Sequence, residues 1–303
     1  MLEQFLSYIK SVKNLSPETV RSYRQDVQKF LTFLAEEGLR EEEVDKQTAR
    51  SFLAYLSRAE LSVATVNRIL SALRSYYAFQ VRYHERETNP FETVKSLKKN
   101  KHLPDFLFKE EIETLVDLPD GSFTGARDRL LLELLYSTGC RISEAVAINV
   151  SAINMKERII RVRGKGNKER FVFLGEKAFR ALHEYLSLRR QHLKTDTGDA
   201  NALFLNHHGR RLTSRGAAFI LKKYNDRLSS GKKISPHTFR HTFATHVLDA
   251  GADIRVVQEL LGHASLSTTQ VYTHLGVERL KRIYNEAHPH AKLPAAKEKR
   301  NGR

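Results

Sequence analysis

The sequence has a single cysteine, Cys140, among its 303 residues. One cysteine cannot form a disulfide within the chain, and it excludes a metal site built from several thiolates. A small buried side chain is the simplest interpretation of Cys140.

Long hydrophobic stretches are also missing. The longest apolar run lies near residues 130–136, and Glu133 interrupts it. A membrane-spanning helix needs about 20 mostly apolar residues, so none is predicted. The first residues lack a basic stretch followed by an apolar one, so we predict no signal peptide and expect a cytoplasmic protein.

Acidic side chains are few relative to basic ones. The chain carries 35 Asp and Glu against 51 Lys and Arg, which gives a net charge of +16. Residues 1–100 hold 16 basic and 13 acidic side chains, so most of the excess falls in the rest of the chain. Such an excess is typical of proteins that bind nucleic acid, although a generally basic protein would show it too. No acidic cluster has the spacing of a metal site, which argues against two-metal hydrolysis.

Residues 1–84 predict a unit of four helices. Ser16 followed by Pro17 is a capping residue with proline at the first helical position, and Ser62 begins another helix. Shorter helices are expected at about 1–13 and 47–58. Residues 85–105 lose the helical periodicity, contain an Asn-Pro pair and are rich in lysine, so we predict an interdomain linker there.

The rest of the chain predicts helices around a small sheet. Residues 159–163 and 170–174 alternate like strands on either side of a glycine turn. Helices are expected at about 176–193, 214–228, 236–250, 253–261 and 267–274. The expected fold is therefore mainly α with a small antiparallel β-sheet. It has an N-terminal four-helix domain, a C-terminal α+β domain over residues 106–290, and a basic tail over residues 291–303.

Five segments of the second domain contain chemically active side chains. They are the turn and helix start Thr138-Gly139-Cys140-Arg141-Ile142-Ser143-Glu144, the hairpin tip Gly164-Lys165-Gly166-Asn167-Lys168, the helical His237-Thr238-Phe239-Arg240-His241, the helix end Leu261-Gly262-His263, and Tyr272. Taken singly, Arg141, Lys165 and Tyr272 have ordinary interpretations as surface, capping or core residues. His237 and Arg240 are three residues apart, so they share one face of a helix.

A zinc site is one alternative for this helix, because His237 and His241 are four residues apart. Two features argue against zinc. Thr238 stands where such sites usually have a glutamate, and Arg240 on the same face would repel a divalent cation.

Together the five segments fit the cleavage of a DNA phosphodiester. Attack on the phosphate builds negative charge on the non-bridging oxygens, which planar guanidinium groups match with paired hydrogen bonds. Arg141 and Arg240 are the natural pair. A tyrosine hydroxyl such as that of Tyr272 is a weak nucleophile that needs a base or a cationic environment. Lys165 on a hairpin can reach the leaving oxygen as a proton donor.

These segments, in their order and spacing, resemble the tyrosine recombinases of the lambda-integrase family, and more narrowly the bacterial Xer type. The resemblance extends over nearly the whole chain. The ending at residues 284–291 is similar to the XerC branch, with His290 where an arginine is more usual. The resemblance implies that the first domain is a core DNA-binding domain and the second the catalytic domain.

The resemblance also implies a role for each residue of the site. Arg141 and Arg240 would bind the scissile phosphate, and Lys165 would protonate the leaving 5′-hydroxyl. His237 would assist proton transfer at the nucleophile, and His263 would hydrogen-bond the phosphate in the transition state. The nucleophile would be Tyr272, which forms a 3′-phosphotyrosyl bond. Glu144 occupies an acidic position that supports the site.

The activity implied is site-specific recombination of double-stranded DNA through a Holliday junction, in a homo- or hetero-tetramer with a related recombinase. The phosphotyrosyl ester keeps the energy of the broken bond, so no cofactor or metal is expected. The resemblance implies chromosome-dimer resolution before segregation at cell division, with a DNA translocase of the division septum as a further partner. An integrase or transposon-type recombinase, a type IB topoisomerase and a non-catalytic DNA-binding protein are the alternatives.

The C-terminal segment predicts a short helix with an apolar stripe formed by Leu280, Ile283, Tyr284 and Ala287. The pattern alone favours packing of this stripe on the helix's own domain. The resemblance instead implies that the helix passes to the neighbouring subunit, as an exchange helix that couples assembly to the position of Tyr272.

Overall fold

The computed structural model describes residues 1–84, 86–98, 105–164, 168–193, 199–228, 232, 234–262 and 274–292, with the backbone alone for His274 and Leu275. The chain divides into two compact units, Met1–His102 and Leu103–Arg303. No helix in the described ranges is long and apolar enough to cross a membrane.

The first unit consists of four helices and a short 3-10 turn. The helices are α1 (Leu2–Ser11), α2 (Pro17–Glu36), α3 (Lys46–Arg58) and α4 (Val63–Tyr83). The side chains of Ser16, Asp45 and Ser62 accept hydrogen bonds from backbone N–H groups in the first turns of α2, α3 and α4. These caps satisfy donors that a helix start leaves free. Helices α2 and α4 begin directly after Ser16 and Ser62, as the sequence predicted.

Aromatic side chains form the centre of this unit. Phe30 on α2 lies edge-on to Phe52 on α3, with ring centroids 4.8 Å apart, and Phe5 on α1 lies edge-on to Tyr76 on α4, at 5.2 Å. All four rings are fully buried. Contacts between large rings from all four helices hold the helices together, and no strand lies in the described part of this unit.

The segment 86–98, predicted to be part of the linker, packs on this unit. Phe91 is fully buried in its core. The side chain of Arg74 donates to the carbonyls of Phe91 and Val94. Asn67 donates to the Leu97 carbonyl at 2.9 Å and accepts from the Leu97 amide at 2.8 Å. Loss of helical periodicity therefore marked the end of helix α4, and the packed unit continues beyond it.

The second unit contains eight helices and three strands in its described part. Its elements are α5 (Lys109–Asp117), α6 (Phe123–Thr138), α7 (Ile142–Ala147), β1 (Ile153–Asn154), β2 (Ile159–Arg163), β3 (Glu169–Phe173), α8 (Glu176–His192), α9 (Ser214–Arg227), α10 (Pro236–Asp249), α11 (Ile254–Leu261) and α12 (His274–Ala287). The strands form one antiparallel sheet in the order β1-β2-β3, and Val162 of β2 lies opposite Arg170 of β3. The prediction of a mainly α fold with a small antiparallel sheet is confirmed.

Helix α6 is the centre of the second unit. Fourteen of its 16 residues are buried, including charged Arg127, Asp128 and Glu133. A helix buried on all sides has no polar face, so it lacks the periodicity from which amphipathic helices are predicted. This explains why α6 was not among the helices that the sequence predicted.

Helix α12 packs on its own domain in this structure. Leu280, Tyr284 and Ala287 are buried in a cluster with Phe173 of β3 and Phe243 of α10. The Tyr284 hydroxyl shares a hydrogen bond of 2.6 Å with the hydroxyl of Ser137 on α6. The arrangement is the one that the apolar pattern alone favoured, whereas exchange with a neighbouring subunit stays a prediction. Apart from its last residue, the helix predicted at about 267–274 lies outside the described residues.

Candidate active site

Three of the six predicted site residues, Arg141, His237 and Arg240, lie in the described part of the chain. The other three, Lys165, His263 and Tyr272, lie outside the described residues. Their immediate neighbours Gly164 and Gly262 are described. The described part of the site therefore consists of the two arginines, the histidine and the residues that contact them.

A glycine places Arg141 at the start of α7. Gly139 ends α6 in the left-handed conformation, with φ of 58°. A Cβ at this position would lie 2.7 Å from side-chain atoms of both Leu261 and Phe243. Glycine is thus required for the backbone conformation and for the close packing against α10 and α11. Arg141 follows two residues later as the capping residue of α7.

Glu144 holds Arg141 through two hydrogen bonds. One carboxylate oxygen accepts from the Arg141 backbone N–H at 2.8 Å, and the other accepts from its guanidinium Nη1 at 3.0 Å. The carboxylate is 3% exposed, whereas the Arg141 side chain is 41% exposed. The contact therefore orients a guanidinium that remains accessible to a bound anion.

Arg240 is held by the ends of two helices. Its Nη1 donates to the Gly139 carbonyl at 2.9 Å, and its Nη2 donates to the Leu261 carbonyl at 2.7 Å. These carbonyls belong to the C-terminal ends of α6 and α11, where helices leave acceptors unpaired. The two hydrogen bonds fix the plane of the guanidinium and bring Arg240 to the turn that places Arg141.

The site has an excess of positive charge. Burial lowers the pKa of Arg240 to about 10, and the positive charges of Arg141 and Arg170 act in the same direction. The guanidinium still carries its proton at neutral pH. A bound phosphate would offset the repulsion between these cations, so the arrangement favours an anionic ligand.

Glu144 is the negative charge among these cations. Burial alone would raise its pKa, but the hydrogen bonds and charges of Arg170 and Arg141 outweigh burial and hold the pKa below its ordinary value. The carboxylate is therefore ionised at neutral pH and can accept from both arginines at once.

Arg170 is a residue of the site that sequence reasoning missed. Its Nη2 donates to Glu144 at 2.9 Å, and its side chain is 5% exposed. The available signal was strand alternation, because Arg170 pairs with buried Val162 and so occupies an inward position of β3. A charged residue at an inward position needs a buried partner, and Glu144 is that partner.

His237 lies in the first turn of α10, one turn before Arg240, and its side chain is exposed. Ser235 and Thr238 form a capping box that begins this helix. An exposed imidazole one helical turn from a half-buried guanidinium can reach a ligand bound to that guanidinium. Among the described residues, no group of three or more metal-binding side chains is found, so His237 and His241 belong to no such group there.

Models of known protein families match the chain in both units. The N-terminal SAM-like domain of phage integrases matches residues 2–84, and the phage integrase family matches residues 105–279. The chain therefore belongs to the phage integrase family. Its curated relatives narrow this assignment to tyrosine recombinases of the Xer type, which are site-specific DNA recombinases.

Among these relatives is the tyrosine recombinase XerC of Pelotomaculum thermopropionicum, which is 44% identical over 96% of this chain and 98% of its own length. The tyrosine recombinase XerD of Staphylococcus haemolyticus is 39% identical over 96% of this chain and 99% of its own length. The alignments thus span both units in relatives of either name.

Solved structures share the fold. The XerH recombinase bound to a palindromic difH substrate has a TM-score of 0.70 at 24% identity and covers 94% of this chain and 84% of its own. The Tn1549 transposon integrase in complex with circular intermediate DNA has a TM-score of 0.69 at 21% identity, covering 92% of this chain and 97% of its own.

Proposed function

We propose that this chain cleaves and rejoins DNA by nucleophilic attack of Tyr272 on a phosphate held by Arg141 and Arg240. The observation that carries the proposal is the pair of arginines fixed at one turn, Arg141 by Glu144 and Arg240 by two helix-end carbonyls. Guanidinium groups held in this way can stabilise the charge that develops on the non-bridging oxygens during attack.

The proposed reaction exchanges one phosphodiester for another. The Tyr272 oxygen forms a bond to phosphorus, and its proton leaves with assistance from His237. The bond to the 5′-oxygen breaks, and Lys165 supplies the proton that this oxygen needs. His263 donates to the phosphate in the transition state. The 3′-phosphotyrosyl ester keeps the bond energy, so attack by a 5′-hydroxyl restores DNA without cofactor or metal.

A covalent trapping experiment tests the role of Tyr272. The substrate is a duplex with a nick beside the cleavage position, found first by binding-site selection from a random duplex library. Loss of the short 5′-hydroxyl fragment leaves the covalent intermediate trapped, and a denaturing gel separates it from free protein. Tyr272→Phe removes only the hydroxyl, so it should abolish the covalent adduct while binding remains within about twofold of the wild type.

Tyr284→Phe provides a matched control, because Tyr284 is a buried tyrosine of the same domain whose hydroxyl contacts Ser137. It should still form the adduct. An adduct at the wild-type level with Tyr272→Phe would refute the assignment of the nucleophile.

We further propose that the chain acts in the cytoplasm at a chromosomal site, in a tetramer with a related recombinase, and resolves chromosome dimers before division. The support is the near-full-length similarity to relatives named XerC and XerD, at 44% and 39% identity. A DNA translocase of the division septum is the further partner that the sequence resemblance implies. Exchange of α12 between neighbouring subunits belongs to the same proposal.

Integration of mobile DNA is the second candidate function. Recombination assays separate the two candidates: plasmids that carry the selected site are mixed with this chain alone or with a second recombinase from the same genome. Exchange between two identical chromosomal sites supports dimer resolution, and exchange between unlike sites supports integration. Relaxation of supercoiled DNA without any recombinant product would instead indicate a topoisomerase.

A further inference from the structure

Arg170 contacts residues near two of the predicted catalytic positions, Arg141 and His263. Its guanidinium donates to Glu144, which holds Arg141. Its Nε donates to the Leu260 carbonyl at 3.4 Å, near the end of α11. The side chain therefore joins the start of α7 to the end of α11 from its place on β3.

A glycine makes room for this side chain, and a second glycine makes room for its partner Glu144. Gly262 ends α11 with φ of 68°, and a Cβ there would lie 2.8 Å from Cδ and 3.1 Å from Nε of Arg170. A Cβ at Gly164 would lie 3.2 Å from a carboxylate oxygen of Glu144 and 3.8 Å from Nη1 of Arg170. Gly164 directly precedes Lys165 and Gly262 directly precedes His263 in the chain.

The burial of Arg170 determines whether its side chain can contact a bound phosphate directly. Its side chain is 5% exposed, compared with 41% for Arg141, and its donors are directed at Glu144 and at a backbone carbonyl. In the described part of the structure, an exposure of 5% leaves Arg170 little surface for direct contact with a phosphate. The side chain can act on the reaction only through the groups that it holds.

We propose that Arg170 is a positioning residue of the recombinase site, which holds the Glu144 carboxylate so that Glu144 orients Arg141 for the scissile phosphate. The inference rests on the proposed role of Arg141. Because a displacement of about 1 Å in a catalytic group can cost a hundredfold in rate, loss of Arg170 should slow cleavage strongly.

The test uses the full-length protein and the nicked duplex. The single-turnover rate constant of adduct formation is measured at saturating protein, because a partly unfolded preparation lowers the amplitude but not the rate constant. Arg170→Met should reduce this constant by about tenfold to a hundredfold and leave DNA binding within about twofold of wild type. Arg170→Lys should recover part of the rate, since it restores a positive charge beside Glu144.

The pH dependence of cleavage distinguishes positioning from general support of the fold. Burial raises the pKa of Glu144, and Arg170 is the main group that lowers it. In Arg170→Met the pKa of Glu144 should therefore rise, so that the carboxylate takes up a proton at a higher pH than in the wild type. Cleavage should then fall on acidification at a higher pH. Glu144→Gln cannot titrate, so Glu144→Gln combined with Arg170→Met should lack this shift. Among the described residues, the charged and titratable groups near Glu144 are Arg141, Arg170, Arg240 and Cys140, and Arg161, Arg163 and Glu169 line the same cavity as Glu144.

Arg189→Met is the matched control. Arg189 is also buried, at 6% exposure, in the same unit, and it donates to backbone carbonyls of residues 200–203 away from the site. Its loss should lower stability but leave the cleavage rate constant and its pH profile unchanged.

Two outcomes would overturn the inference. One is a wild-type rate constant and pH profile in Arg170→Met. The other is an equal reduction by Arg170→Met in the wild-type and Glu144→Gln backgrounds, which would mean that Arg170 does not act through Glu144. Failure of the proposed function is recognised separately, because the wild type itself would then form no adduct that depends on Tyr272.

Discussion

At the scale of single residues, the two arginines of the site are held in different ways. Arg141 is oriented by one carboxylate and is 41% exposed, whereas both terminal nitrogens of Arg240 bond to helix-end carbonyls. Replacing Arg240 would therefore leave two partly buried carbonyl acceptors without these donors as well as removing a charge. Arg141 allows the cleaner test of phosphate binding.

We expect Arg141→Lys to slow covalent adduct formation by about a hundredfold, the usual cost of losing one preorganised donor at a developing charge. The variant keeps the charge but loses the planar pair of donors, so DNA binding should change little. Single-turnover cleavage and gel-shift titration measure the two effects.

Arg161→Lys is a suitable control for this experiment. Arg161 lies on β2 with a side chain that is 56% exposed and paired with Glu169. It should cleave DNA like the wild type. A wild-type rate constant for Arg141→Lys would contradict the proposed phosphate contact.

At the scale of elements, the segment after α12 is anchored by buried histidines. His288 donates from Nε2 to the Tyr136 carbonyl at 3.1 Å, and its Nδ1 accepts from the backbone N–H of His290 at 3.1 Å. His290 in turn bonds to Glu133 at 2.9 Å. Both ring nitrogens of His288 are thus satisfied in the neutral form, and a proton has no place on the ring.

This arrangement predicts that the second unit loses stability in mild acid. Burial, with the neighbouring His290 as the next cause, lowers the pKa of His288 from 6.5 to about 3. Between those values the unfolded chain binds a proton that the folded chain does not, so the free energy of unfolding falls as the pH falls. The contribution of His288 should be about 1 kcal/mol per pH unit below pH 6.

Urea unfolding of the wild type and of His288→Asn at pH 7.5, 6 and 5 measures this contribution. The wild type should lose stability toward pH 5 more steeply than the variant. His208→Asn, at an exposed histidine, should keep the wild-type dependence. If the free energy of unfolding depended on pH in the same way in the wild type and in His288→Asn, the buried neutral His288 would not be the cause of the stability lost in acid.

The same elements show where sequence patterns predict structure well. Helices α2 and α4 begin directly after the predicted capping residues Ser16 and Ser62, and α10 begins at Pro236, where the sequence predicted a helix. Capping and amphipathic patterns are local, so they can be read without knowing the neighbours. Helix α6 and the packing of residues 86–98 depend on what surrounds them, and no local pattern predicts either.

At the scale of the whole molecule, a net charge of +16 predicts DNA binding that depends steeply on salt. Each phosphate contact releases counterions, so the logarithm of the association constant should fall with the logarithm of salt concentration by about 0.9 per contact. Several contacts would give a slope of about −5 or steeper.

Fluorescence anisotropy with a labelled duplex, in a salt series from about 50 to 200 mM, measures this slope. The Tyr272→Phe variant is the form to use, because cleavage would otherwise change the substrate during the titration. A slope near zero would contradict the idea that the basic excess of residues 101–303 contacts the DNA backbone.

By itself the sequence determined the class of fold, the positions of most helix starts, the hairpin of β2 and β3, and the family, because these depend on local patterns and on a set of spaced motifs. Lys165, His263 and Tyr272 are predicted from those motifs alone. Tertiary structure decided which residues meet at the site. Arg240 contacts Gly139, which is 101 residues away in the chain, and Leu261, which is 21 residues away. Arg170 contacts Glu144, which is 26 residues away. It also placed α12 on its own domain. Hydrogen bonds between distant segments form only when packing brings their donors and acceptors together, and no local pattern records that arrangement.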